Sequence, residues 1–173
     1  NDAGEFLVAI GPSVTLISGC VINKRCLPGV DANEFCGSNL VQVNLVVQAT
    51  MAAKNNLYSG SYHIACKRNN SGNYDYVQVF VEQLGEILDS YQILGLSHQS
   101  ILAFDKQMLL GFLPFYLLKQ RLGNFGDQKE NALKLRSRYK NFLTFWIFLM
   151  PIVVMPRFIA IVWGGVATFV GRI

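Results

Sequence analysis

From Phe142 to Gly171 the chain reads FLTFWIFLMPIVVM, then Pro156-Arg157, then FIAIVWGGVATFVG, and Arg157 is the only ionisable side chain in those 30 residues. A soluble domain of this size has no use for so long an apolar run, so residues 141–173 are read as membrane-embedded. Length then limits the topology. Fifteen residues up to Pro156 make a helix of about 22 Å, against a hydrocarbon core of roughly 30 Å. One helix over the whole stretch would reach about 45 Å and need strong tilt. Two solutions fit: a hairpin of short helices turning at Pro156-Arg157, or one long helix kinked at Pro151 and Pro156. In the first, Arg157 anchors at a headgroup. In the second it lies deep and needs a partner carboxylate, a lipid phosphate or a water-filled cavity. Ala160, Gly164, Ala167, Thr168 and Gly171 share one face of the last helix, a spacing that lets two helices approach closely. With Arg157 they are the expected membrane or partner contacts.

A second apolar block, Ile101–Leu118, carries Asp105, Lys106 and Pro114. It is read as an interfacial, packed or spanning helix, with Lys106 able to snorkel. Between the two blocks, residues 119–140 hold a net charge of +5, while the remainder of the chain sums to −1. Basicity confined beside a membrane segment points to the cytoplasmic or matrix side and to anionic headgroups. Lys134, Arg136, Arg138 and Lys140 are the expected headgroup ligands. The run has only Phe125 and Tyr139 as aromatic residues, which argues against nucleic acid as its partner.

Residues 1–81 read as a β-rich extramembrane region. Val14–Ile22 is β-branched and apolar, and Leu40–Ala49 alternates Val41, Val43, Leu45, Val47 against Gln42, Asn44, Gln48. The same segment also suits a helix capped by Ser38 or Asn39. A hairpin is expected where Ser61–Cys66 and Tyr74–Val81 flank KRNNSGN. From Val77 the spacing turns helical through Leu84, Leu88 and Tyr91, and competes with the second strand. The expected class is therefore α+β: a β-rich N-terminal region (1–81), a helical middle (82–140), and a C-terminal transmembrane helix or helical hairpin (141–173).

All four cysteines, Cys20, Cys26, Cys36 and Cys66, fall in the first 66 residues. An even count at one end suggests one or two disulfides or, equally, buried thiols. With no CxxC, a zinc ribbon is not expected. His63 and Cys66, three apart on a strand, would face opposite sides and make neither a ligand pair nor a dyad. His98 reads as a residue at a helix start. The sequence holds no Walker A, GxGxxG or GxSxG pattern. Neither catalysis nor a cofactor is expected. The function read from these features is a non-catalytic accessory subunit of a multi-subunit complex in an organelle inner or bacterial inner membrane, with other membrane subunits and lipids as partners. A self-associating pore with Arg157 in its path is the alternative. A surface glycoprotein using the sequon Asn69-Asn70-Ser71 is the third.

Overall fold

The computed structural model describes residues 2–61 and 75–171, and among them there are helices, 3-10 turns and loops but no strand. The α+β class with a β-rich N-terminal region is thereby corrected to all-α. The chain divides into two compact units, Asn1–Tyr74 with Gln83–Ile101, and Asp75–Glu82 with Leu102–Ile173.

The first unit is arranged around its second helix. Helix α1 (Ala3–Ile10) leads into 3-10 turns at Gly11–Thr15, Ile17–Gly19, Lys24–Cys26 and Ala32–Phe35. These replace the expected strand at Val14–Ile22. Helix α2 (Val41–Ala52) then packs against α1, three of the turns and helix α3 (Leu84–Ile93). Residues 41–47 of α2 alternate, but a strand needs a neighbour, and the described residues of this unit offer none. As a helix, α2 buries Val43, Val46, Val47 and Thr50 on one stripe, the i, i+3, i+4, i+7 pattern. Tertiary burial outweighs the few tenths of a kcal/mol that each β-branched residue loses in a helix. The Ser38 Oγ accepts from the Leu40 amide at 3.0 Å, just before the first turn. The Tyr91 hydroxyl lies 3.3 Å from the Asn44 carbonyl, which ties α3 to α2.

The expected hairpin does not form on its second arm. Backbone from Tyr76 onward is helical, with a π-helical stretch over Gln78–Gln83 continuing into α3. The turn KRNNSGN, His63, Cys66 and the sequon lie outside the described residues.

The second unit is built of helices. The run His98–Gly123 comprises α4 (His98–Gln107), a π segment (Met108–Phe112) and α5 (Leu113–Gly123). Asn124 adopts a left-handed conformation with φ of 54° and stops α5. Helix α6 (Gln128–Tyr139) starts where the Asp127 carboxylate accepts from the Lys129 and Glu130 amides at 2.8 and 3.1 Å. Its first turn is acidic and its last turn basic, matching the helix dipole. A π segment (Phe145–Leu149) continues into α7 (Met150–Val154), and after Met155-Pro156 comes α8 (Arg157–Val170). Met155 and Pro156 are extended, so the C-terminal block is a pair of short helices, not one kinked helix. Helix α8 packs on α5 and α7, and α7 also on α5 and α6.

Candidate functional site

Two prolines shape the apolar helices of the second unit. Pro114 and Pro151 have no N–H to give the carbonyls four residues earlier, and a π segment precedes each. The carbonyls concerned, Leu110 and Ile147, both meet α8. The Trp163 indole donates to the Ile147 carbonyl at 3.1 Å. Gly171 sits so close to the Leu110 carbonyl that a Cβ there would collide with it. Close approach by α8 depends on its small residues. Ala160, Gly164 and Ala167 are buried, and a Cβ on Gly164 would lie 3.1 Å from Leu118. Thr168 turns its hydroxyl back to the Gly164 carbonyl at 2.7 Å. The small-residue stripe is thus filled by α5 and its π segment in the same chain.

The other face of α8 has opposite character. Phe158, Ile159, Val162, Val166 and Phe169 point outward, with Phe158 79% and Phe169 69% exposed. Leu143, Ile147 and Val154 extend the apolar surface onto the preceding helix. Large side chains outside and small ones inside invert the usual arrangement of a water-soluble helix pair.

Arg157 is held at the turn between the two helices. Its Nε donates to the Arg121 carbonyl at 3.1 Å and its Nη2 to the Leu122 carbonyl at 2.8 Å. These carbonyls belong to the last turn of α5, where helix carbonyls lack intrahelical donors and carry partial negative charge. Arg121 answers with a hydrogen bond from its own Nη2 to the Met155 carbonyl. The two arginines therefore clasp the end of α5 to the hairpin turn.

Of the four expected headgroup ligands, three are engaged within the unit. The Arg138 Nε lies 3.0 Å from the Asp105 carboxylate, and both side chains are largely buried. Lys134 pairs with Glu130 and Glu82, each at 2.9 Å. The hydrogen bonds it donates to these carboxylates, that to Glu130 first, push its pKa above the usual lysine range. The Arg136 guanidinium stands 5.7 Å from the centre of the Trp146 ring, whose Nε1 donates to the Lys140 carbonyl at 2.8 Å. The Lys140 residue itself is exposed. A buried polar pair, Asn131 to Gln120 at 3.2 Å, adds to the hold of α6 on α5.

Comparison with protein-family models, characterised proteins and solved structures finds no match. In the first unit Cys20, Cys26 and Cys36 are free thiols, and no disulfide joins them. Burial pushes the half-buried Cys20 thiol above its ordinary pKa. Among the described residues no three His, Cys, Asp or Glu side chains gather as a metal site. His98 begins α4. Among the described residues one helix, His98–Gly123, is long and apolar enough to cross a membrane, and α8 and the helix before it are shorter. Sequence reading placed the span in the C-terminal block because charges are absent there. The earlier block stays open in the sequence between interfacial, packed and spanning helix because of Asp105, Lys106 and Pro114, and the partner of Asp105, Arg138, lies 33 residues away.

Proposed function

We propose that this chain is a non-catalytic membrane subunit whose apolar helices of the second unit sit in lipid, with the polar α6 at the membrane surface and the first unit extramembrane. The observation that carries the reading is the outward apolar face of α8 combined with an inward face of small residues already packed on α5. Such a surface suits acyl chains or apolar helices of partner subunits. The Asp105–Arg138 pair and the carbonyl-bound Arg157 fit the same setting, because a charge near hydrocarbon needs a partner. A long helix of about 39 Å covers the bilayer with a margin. The bonds from the Arg157 Nε and Nη2 to carbonyls of α5 suit an anchor at the turn.

The test is extraction of native membranes, first with alkaline carbonate, then with mild detergent, followed by a native gel and mass spectrometry. The expected result is resistance to carbonate and migration with a fixed set of other proteins. Release by carbonate would overturn the membrane reading. A detergent band containing this chain alone would overturn the subunit reading.

A further inference from the structure

Resting on that membrane reading, we infer that a recess between the α6 start and the hairpin turn binds the phosphodiester of an anionic, hydroxyl-bearing phospholipid. The recess holds about 310 Å³ and is lined by Arg121, Gln128, Lys129, Ala132, Val153, Val154 and Met155. Two of its residues carry buried polar atoms without a hydrogen-bond partner, the Arg121 Nε and the Gln128 Oε1. One is a donor and the other an acceptor, and native proteins rarely leave such atoms unpaired. A phosphate oxygen matches the guanidinium, and a headgroup hydroxyl matches the amide oxygen. Lys129 is exposed at the same recess and adds a second positive charge. The nearby carboxylates are occupied, Asp127 with two backbone amides and Glu130 with Lys134.

The apolar side of the recess selects a lipid over a free phosphate. Val153, Val154 and Met155 form that wall, and exposed Val154, Met155 and Phe158 continue it outward as a track for an acyl chain. A choline headgroup has no hydroxyl for Gln128. Both unpaired atoms are covered in this conformation, so a headgroup reaches them as the Gln128 and Arg121 side chains turn, exchanging the Arg121 bond to the Met155 carbonyl for one to phosphate. None of the four basic residues singled out from the sequence lines this recess.

The experiment places the purified full chain in phosphatidylcholine vesicles containing a minor fraction of phosphatidylglycerol. Flotation reports membrane association, and mass spectrometry of detergent-extracted protein reports bound lipid. The expected result is enrichment of phosphatidylglycerol by roughly tenfold, equivalent to about 1.4 kcal/mol. Lys129→Gln and Ala132→Phe, the latter filling the recess, are expected to float normally and lose the enrichment. Arg121→Gln should do the same, but it also loses its bond to Met155 and is secondary. Floating protein without enrichment, or enrichment equal in Lys129→Gln and Ala132→Phe, would overturn the site. Displacement of the lipid by soluble glycerol phosphate at matched concentration would overturn the lipid as its occupant. Failure of the wild-type chain to float would instead sink the membrane reading on which the site depends.

Discussion

Arg138 and Asp105 show how a charge survives in an apolar helix bundle. Both side chains are largely buried, and they form a hydrogen-bonded ion pair at 3.0 Å. Removing one partner of a buried pair costs about 3–5 kcal/mol, whereas replacing both with apolar residues is often neutral. Arg138→Leu is therefore expected to destabilise the detergent-solubilised protein by roughly that amount. Asp105→Leu combined with Arg138→Leu should recover most of the loss in a denaturant titration. A double variant as unstable as the single one would show that the pair's surroundings, not its charges, set the stability. Lys134 behaves differently with pH. Its folded pKa is raised by Glu130 and Glu82, so its contribution is full below the unfolded lysine pKa and fades only as pH rises through the higher folded value. Lys134→Met should lower the unfolding midpoint by the same amount at about pH 6 and about pH 9, both below the ordinary lysine pKa. A loss that shrinks by pH 9 would contradict the assignment.

At the scale of elements, the contact of α8 with α5 decides how the C-terminal block folds. Gly164 faces Leu118 with no room for a branched side chain. Gly164→Val is expected to destabilise by about 1–3 kcal/mol through overpacking. Adding Leu118→Ala should restore part of the loss, as measured by thermal unfolding in detergent. If the pair shows no such compensation, the two helices do not meet there. Much of this element was legible beforehand. The small residues at Ala160, Gly164 and Ala167, the lone Arg157 and the break at Pro156 all stand in the sequence. Their partners do not. The Arg121 and Leu122 carbonyls that hold Arg157 are backbone atoms with no sequence signature. The N-terminal error has an equally physical source. In α2 the alternating valines satisfy period 2 and the period-3.6 stripe at once, and only the neighbours decide. The hairpin reading failed at Tyr76–Val81 because Tyr76 and Phe80 belong to an aromatic cluster with Phe112 and Tyr116, packed at helical spacing.

For the whole molecule the decisive property is what surrounds α8. If lipid does, a carboxylate placed on its outward face meets hydrocarbon. Insertion scales put an acidic residue near a helix centre at about 2.5–3.5 kcal/mol. Val162→Glu should weaken carbonate-resistant integration, and Val162→Glu with Val166→Glu should abolish it, while the first unit stays folded by circular dichroism and limited proteolysis. Unchanged integration of the double variant would mean that the face is turned toward water or a polar partner. The same substitutions on the inward face, at Ala160 or Ala167, would disturb packing in any solvent and do not discriminate.

The brevity of the terminal hairpin has a consequence for where such a protein settles. Its last helix, 14 residues from Arg157 to Val170, measures about 21 Å. A bilayer must pinch inward to wet it fully, at a fraction of a kcal/mol for each ångström of mismatch. On the proposed membrane reading this hairpin favours a thin bilayer, while the longer His98–Gly123 helix meets the same bilayer by tilting. Given coexisting domains of short-chain and long-chain lipid in one giant vesicle, the fluorescently tagged chain is expected to gather in the thinner domain, and an even distribution between the two would argue against local pinching around the hairpin.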